Sequence, residues 1–151
     1  MGKKAVDKLV PEVVAFCRLF ATLERDLVCC GDVTVPQCVL LQTLREGVWD
    51  VSSLAAHMGV TKGATTRLVD GVESRGWLRR VQDQEDRRRF VIALTPDGEA
   101  MAERLSQETA RIVEVVLGRI PARDRADVIK SMKLLRVAAE ESRAEFEGAC
   151  R

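Results

Sequence analysis

The chain has 151 residues, of which 46% are hydrophobic and 31% charged, so we expect a packed core under a charged surface rather than a disordered chain. No apolar run approaches the roughly 20 residues that span a bilayer, and no signal peptide follows the basic N-terminus, which together predict a cytoplasmic protein. The net charge is only +1, but residues 61–89 hold eight Lys or Arg and five Asp or Glu, so that a local charge of +3 faces −2 elsewhere; this is typical of a phosphate-binding patch or of a solvated basic face.

A long amphipathic helix is predicted from about Val6 to Cys30. Its apolar residues recur at alternating steps of four and three and therefore share one face: Leu9, Val13, Phe16, Phe20, Leu23 and Leu27. Gly31 ends this helix because glycine readily takes the left-handed conformation just beyond a helix end. A second helix starts at Thr34, which forms a capping-box pattern with Gln37, and it ends near Gly47.

Two short helices joined by a glycine-containing turn follow, which is the pattern of a helix-turn-helix. The third helix runs from Val51 to His57, and the fourth is capped by Thr61, continues to about Arg75 and is closed by Gly76. At 100° per residue, the fourth helix directs Ala64, Leu68 and Val72 into the core. Its opposite side carries Lys62, Gly63, Thr66 and Asp70, with Thr65 and Arg67 on the flanks.

Two strands are predicted next, from Trp77 to Val81 and from Arg89 to Leu94, and the wholly polar segment between them forms a charged wing. The sequence Thr95-Pro96-Asp97 starts a fifth helix that continues to about Arg119. A sixth helix is predicted from about Arg123 to Phe146. The small central unit cannot bury all the apolar surface of the terminal helices, so we expect them to pack on a second copy of the chain.

The fourth helix and the wing together predict an interface for double-stranded DNA. Exposed Thr, Lys and Arg near a helix N-terminus suit the major groove, where Lys and Arg pair with guanine and the helix dipole favours phosphate. Arginine at a wing tip suits the narrow minor groove, and Asp83 and Asp86 can orient it by charge-assisted hydrogen bonds. The alternatives are an ordinary solvated helix face and a hairpin stabilised by weak surface ion pairs.

The wing sequence also carries a family resemblance. The run Asp83-Gln84-Glu85-Asp86-Arg87-Arg88, followed after five residues by Leu94-Thr95-Pro96-Asp97-Gly98, resembles the wing signature of the MarR family of bacterial transcriptional regulators. The helix stretches 66–70 and 73–78 are similar to that family as well. The resemblance implies a homodimer formed by the first, fifth and sixth helices and bound to a pseudo-palindromic operator. It implies that Arg88 enters the minor groove, that Asp86 orients it, and that exposed residues of 61–67 contact bases.

The expected architecture is therefore mainly α with a small β-hairpin wing. Residues 35–95 form a winged helix-turn-helix DNA-binding domain, with one short strand before the third helix, and residues 1–34 and 96–151 form a helical dimerisation region. The predicted DNA-binding residues are Thr61, Lys62, Thr65, Thr66, Arg67, Asp86, Arg87 and Arg88. The resemblance also implies a repressor, because most members of that family repress transcription. They are released from DNA when a small molecule or an oxidant acts near the junction of the two regions.

Three of the five cysteines, Cys29, Cys30 and Cys38, fall within ten residues. A thiol near a helix N-terminus favours the reactive thiolate, and thiolates bind soft metal or metalloid ions or undergo oxidation. These cysteines are therefore a candidate effector site, with a thiophilic ion as the possible cofactor. The alternative is that they pack as small hydrophobic residues.

Two other classes of protein are alternatives to a DNA-binding regulator. A thiol-based metal-binding or redox protein without DNA binding would leave the charged wing unexplained, and a winged-helix protein-interaction module would need no DNA. No Ser-His-Asp set and no paired acids support an enzyme. Thr61-Lys62-Gly63 is not a phosphate-binding loop either, because it lacks the glycine spacing of such a loop.

Overall fold

The computed structural model describes residues 2–28, 33–142 and 145, and the chain forms two compact units, Met1–Arg111 and Ile112–Arg151. The described helices are α1 (Lys3–Leu23), α2 (Val35–Leu44), α3 (Val51–Met58), α4 (Lys62–Glu73), α5 (Pro96–Gly118) and α6 (Ala122–Glu141), and the strands are β1 (Leu78–Gln82) and β2 (Phe90–Leu94). A π-helical turn, Glu24–Val28, continues α1. The predicted mainly helical fold with a β-hairpin wing is confirmed. The two-part division into residues 35–95 and flanking dimerisation segments stays a prediction.

Local capping signals decide where α2 and α3 begin. The backbone N–H of Thr34 donates to the Gln37 side chain at 3.0 Å, as the predicted capping box requires. Asp50 caps α3 by accepting a hydrogen bond from the Ser53 backbone N–H at 2.7 Å. Gly59 ends α3 with φ of 69°, a left-handed conformation that glycine adopts without steric cost. These caps fix the start of α2 and both ends of α3 within the helix-turn-helix.

The antiparallel strands pair Leu78 with Leu94 at the base of the hairpin and Gln82 with Phe90 near its tip. A third segment joins this small sheet at Trp49, whose carbonyl accepts a hydrogen bond from the Ile92 backbone N–H at 2.8 Å. This bridge supplies the short strand expected before α3. The sheet therefore connects the segment that leads into α3 directly to the hairpin.

The core of the first unit lies between α2, α3, α4, the hairpin and the start of α5. Its fully buried large side chains are Leu40, Leu41, Leu54, Val69, Val72, Leu78 and Leu105. Side-chain hydrogen bonds also join α2 to α5: Gln42 donates to the Ala102 carbonyl at 3.0 Å and accepts from the Ser106 hydroxyl at 2.9 Å. The helix-turn-helix is thus held against the first turns of α5 by both apolar and polar contacts.

The base of the wing is a close contact between the start of α5 and the chain before β1. The Thr95 hydroxyl donates to the Gly76 carbonyl at 2.5 Å, and the Thr95 backbone N–H donates to the Trp77 carbonyl at 3.1 Å. A Cβ atom at Gly98 would lie 1.7 Å from the Trp77 carbonyl oxygen, so only glycine fits there. The Gly98 of the wing signature is therefore required by packing at this contact.

The second unit contains the end of α5 and all of α6. None of the described α6 side chains is buried, and α6 carries the exposed apolar residues Ile129, Met132, Leu134 and Leu135. The described end of α6, Glu141, lies before the predicted one at Phe146, which falls outside the described residues. In the described residues no helix is both long and apolar enough to span a membrane.

Candidate DNA-binding interface

Helix α4 presents the predicted reading surface at its N-terminus. The Thr61 hydroxyl caps the helix by accepting a hydrogen bond from the Ala64 backbone N–H at 3.2 Å. Lys62, Thr66 and Arg67 are exposed in the first two turns. The Thr66 hydroxyl donates to the Lys62 carbonyl at 2.9 Å, which leaves its lone pairs available as acceptors. These residues form one polar surface at the positive end of the helix dipole.

The prediction that Thr65 lies on an exposed flank of α4 is wrong. Its side chain is fully buried, and its hydroxyl donates to the Thr61 carbonyl at 3.1 Å. The fully buried stripe is Thr65, Val69 and Val72, whereas Ala64 and Leu68 are only half-buried. A threonine can occupy a core position because this local hydrogen bond satisfies its hydroxyl. Thr65 therefore has no access to bases in this fold.

Arg80 of β1 joins the hairpin to the outer side of α4. Its guanidinium forms ion pairs with Glu73 and with Asp70, the latter at 2.5 Å between Nη2 and Oδ1. The Arg80 backbone N–H also donates to the Glu73 carboxylate at 3.1 Å. Sequence reasoning did not single out Arg80, because its carboxylate partners lie on another element. The contact fixes the first wing strand relative to the reading helix.

The wing tip is a turn organised by two aspartates. The Asp83 carboxylate accepts a hydrogen bond from the Glu85 backbone N–H at 2.8 Å, and the Asp86 carboxylate accepts from the Arg88 backbone N–H at 3.0 Å. Asp86 therefore orients Arg88 through its backbone, whereas the sequence had suggested a contact with the arginine side chain. Arg87 and Arg88 are exposed, and no carboxylate of the described residues forms an ion pair with either guanidinium.

The third arginine of the wing, Arg89, is engaged within the protein. Its Nε and Nη2 atoms lie 2.8 Å and 2.5 Å from Oδ2 of Asp50, the residue that caps α3. The pKa of Asp50 is lowered from its ordinary value, chiefly by the hydrogen bond from the Ser53 backbone N–H and further by the Arg89 guanidinium, while burial opposes the shift. The spacing Asp50-Val51-Ser52-Ser53 is itself a capping-box pattern, and it was the available sequence signal for this site.

Of the three clustered cysteines, only Cys38 lies within the described residues; Cys29 and Cys30 fall outside them. Cys38 is 2% exposed and belongs to the core beneath α2. It also lines a cavity of about 360 Å³ in the first unit, together with Glu24, Val39, Gln42, Thr43, Glu46, Ser106 and Thr109. Among the described residues there is no cluster of three or more metal-ligating side chains.

Comparisons with known proteins agree with this geometry. Residues 33–90, which include the helix-turn-helix and most of the hairpin, match the model of the MarR family. The HTH-type transcriptional regulator YfiV of Bacillus subtilis is 28% identical over 115 residues, covering 76% of this chain and 72% of that protein. The multiple antibiotic resistance protein MarR of Salmonella typhimurium is 34% identical over 77 residues, which cover 50% of this chain and 54% of that protein.

The likeness extends to the three-dimensional structure. A MarR family protein from Bacillus stearothermophilus superposes with a TM-score of 0.78 at 26% identity, covering 93% of this chain and 97% of that one. The family consists of transcriptional regulators rather than enzymes, and its matched segment here contains the exposed face of α4 and the wing tip. Residues 33–90 therefore carry a DNA-binding domain of the MarR type, and the chain has the fold of MarR family transcriptional regulators.

Proposed function

We propose that this chain is a homodimeric repressor that binds a pseudo-palindromic operator and leaves it when an effector acts near Cys38. Helix α4 inserts Lys62, Thr66 and Arg67 into the major groove, with Thr61 beside a phosphate. The wing places Arg87 and Arg88 in the adjacent minor groove, held by Asp86. A homodimer repeats this surface about a two-fold axis, which matches two half-sites of an operator.

One observation carries the DNA contacts: Arg87 and Arg88 at the wing tip form no ion pair within the described residues, whereas two arginines behind the tip are engaged. Arg80 and Arg89 pair with carboxylates of the protein, but Arg87 and Arg88 form no ion pair within the described residues. Binding to phosphate or to the minor groove would supply the missing counter-charge. Lys62 and Arg67 are exposed cations of α4, and DNA phosphate could supply their counter-charge in the same way.

The proposed homodimer is supported by the apolar face of α1. No side chain of α1 is buried in the described structure, and Leu9, Val13 and Phe16 remain 46%, 42% and 46% exposed. The Phe16 and Phe20 rings stack with centroids 5.6 Å apart on the same face. An apolar stripe of this length is a signature of a protein interface rather than of a solvated helix.

The proposed effector is a thiophilic metal or metalloid ion, an oxidant or a small molecule that acts at Cys29, Cys30 and Cys38. Cys38 is 2% exposed, but it lines the cavity described above, and an effector would occupy that space. Cys38 and Gln42 lie on the same helix, α2, and Gln42 hydrogen-bonds to α5. Chemistry at Cys38 that moves α2 would therefore displace the helix-turn-helix relative to the start of α5. Such a displacement would lower the affinity of the reading helix for DNA.

The DNA contacts are tested by the salt dependence of binding. We expect log affinity for operator DNA to fall linearly with log salt, with a slope of about −0.9 for each phosphate contact. Lys62→Ala and Arg88→Ala should each weaken operator binding by roughly tenfold while the thermal unfolding temperature stays unchanged. Arg123→Ala is the control, because this arginine of α6 is 87% exposed and belongs to neither α4 nor the wing.

Salt-independent binding, or an Arg88→Ala variant with unchanged affinity, would contradict the proposed contacts and favour a protein-interaction module or a thiol-based metal-binding protein. Repression is tested separately, by transcription in vitro from a promoter that overlaps the operator. The protein should lower transcript yield, and activation would reverse the proposed sign of regulation.

The thiol hypothesis needs its own variant. Cys29→Ser and Cys30→Ser combined with Cys38→Ala removes all three thiols without placing a hydroxyl in the core. We expect peroxide or a thiophilic metal ion to release the wild-type protein from DNA but not the triple variant. Cys17→Ser, at an exposed cysteine of α1, is the matched control and should respond like the wild type. An equal response of the triple variant would refute sensing by these cysteines.

A further inference from the structure

The Arg89 guanidinium connects the wing to the N-terminus of α3. Both of its contacting nitrogens, Nε and Nη2, reach the same carboxylate oxygen of Asp50, at 2.8 Å and 2.5 Å. The other oxygen of Asp50 accepts hydrogen bonds from the Ser53 backbone N–H and hydroxyl, at 2.7 Å and 3.0 Å. One carboxylate therefore caps α3 with one oxygen and holds the wing with the other.

Arg89 also lies where the wing turn is closed. Its backbone N–H donates to the Asp86 carbonyl and its carbonyl accepts from the Asp83 backbone N–H, both at 2.9 Å. The next connection between β2 and the segment before α3 is the hydrogen bond from Ile92 to Trp49. Among the described contacts between the wing and the segment before α3, the Arg89–Asp50 pair is thus the nearest to the tip. Arg88 and Arg87 precede Arg89 by only one and two residues.

We infer that Arg89 is a positioning residue, which fixes the angle of the wing against the helix-turn-helix through Asp50 and does not itself contact DNA. The inference rests on the proposed binding of the wing to the minor groove. With the wing held, Arg87 and Arg88 are directed to one groove while α4 occupies the next. The Arg89 side chain is 48% exposed and that of Asp50 22%, so the pair is a modest restraint rather than a buried anchor.

The inference predicts an unusual sign for removal of a negative charge. Near DNA, neutralising a carboxylate normally strengthens binding because it removes repulsion from phosphate. Asp50→Asn keeps a good helix cap but loses the ion pair, so we expect operator binding to weaken by up to about fivefold. Glu85→Gln is the matched control: it removes an exposed carboxylate of the wing with no ion pair to a described residue, and it should strengthen binding slightly.

The arginine side of the pair is tested by the salt slope. Arg89→Ala should weaken binding as much as Asp50→Asn does, and the double variant should be no weaker than either single one. The slope of log affinity against log salt should stay unchanged in Arg89→Ala, whereas loss of a phosphate contact would reduce it by about 0.9. Arg89→Lys, which retains a charge for Asp50, should recover part of the affinity.

A readout without DNA completes the test. Amide hydrogen exchange at residues 83–89 should become faster in Arg89→Ala and Asp50→Asn, while exchange in α2 and α4 stays as in the wild type. Stronger binding of Asp50→Asn, a reduced salt slope in Arg89→Ala, or unchanged exchange in the wing would each overturn the inference. Failure of the wing proposal itself is seen independently, as unchanged binding of Arg88→Ala.

Discussion

The winged helix-turn-helix buries its apolar residues within this chain, whereas helix α1 leaves its apolar residues exposed. Five of the ten residues of α2 are buried, and the buried set continues through α3, α4 and the hairpin. In α1, which has 21 residues, no described side chain is buried although its apolar residues recur with helical spacing. The DNA-reading part therefore completes its core within one chain, while α1 carries an apolar face that this chain leaves open. Folding of the winged helix-turn-helix and assembly of the proposed dimer should be separable by mutation.

The largest effect is expected where the apolar face is broken. Leu9→Glu combined with Phe16→Glu places two charges on the exposed stripe of α1 and should convert the proposed dimer into a monomer. Operator affinity should then fall by roughly a hundredfold or more, because the two half-sites are no longer bound by one linked molecule. Light scattering measures the mass, and fluorescence anisotropy measures the affinity.

The control for this variant is Val48→Glu. Val48 is 77% exposed in the turn between α2 and α3, so it tests whether any charge on an exposed apolar residue disrupts assembly. We expect this variant to keep the mass of the wild type. A dimeric Leu9→Glu and Phe16→Glu variant would show that the open face of α1 is not the interface.

A second prediction concerns the close packing of the start of α5 against Trp77. Gly98→Ala should lower the free energy of unfolding by about 3 kcal/mol, the upper end of overpacking effects, because its Cβ would collide with the Trp77 carbonyl. Gly63→Ala is the matched control in the exposed first turns of α4, where a Cβ meets no heavy atom within 4 Å. It should raise stability by about 0.5–1 kcal/mol through helix propensity.

Chemical denaturation measures both glycine variants, and their opposite signs separate packing from propensity. If Gly98→Ala unfolds at the same denaturant concentration as the wild type, the close approach of α5 to Trp77 is not a stabilising constraint. If Gly63→Ala is more stable but binds DNA more weakly, close approach of the α4 backbone to DNA is the reason for glycine there.

The smallest effect is expected from the pH dependence of the Asp50 contacts. The folded pKa of Asp50 lies below its value in the unfolded chain, so its contribution to stability is complete above the ordinary aspartate pKa of about 4. The contribution is lost as the pH falls through the lower folded pKa. Asp50→Asn should therefore be less stable than the wild type by under about 1 kcal/mol near pH 6, and the difference should shrink below pH 4. A difference that does not change with pH would contradict the lowered pKa of Asp50 in the folded chain.

Much of this fold could be predicted because its signals are local. Thr34 with Gln37, Thr61, and Thr95 with Pro96 mark helix starts, and each start lies within one residue of its predicted place. Gly76 closes the α4 region with φ of 75°. The exposed part of the candidate site was predicted for the same reason: Lys62, Arg67, Arg87 and Arg88 are placed by helix period and by hairpin length.

The burial of Thr65 could not be predicted in this way. A rotation of α4 by one residue moves Thr65 from the flank into the core, and side-chain periodicity alone does not resolve such a rotation. Only packing against the neighbouring helices selects the stripe Thr65, Val69 and Val72 over the stripe Ala64, Leu68 and Val72.

The sequence by itself determined the order of helices, the hairpin and its charged tip, and the resemblance of the wing to one family of regulators, because capping, turn and spacing signals act within a few residues. The tertiary structure alone decided which arginines of the hairpin are engaged. Arg80 and Arg89 reach carboxylates on α4 and before α3, and the Arg89 partner lies 39 residues away in the chain. Ion pairs between distant segments depend on how the hairpin folds back, and no local pattern encodes that distance.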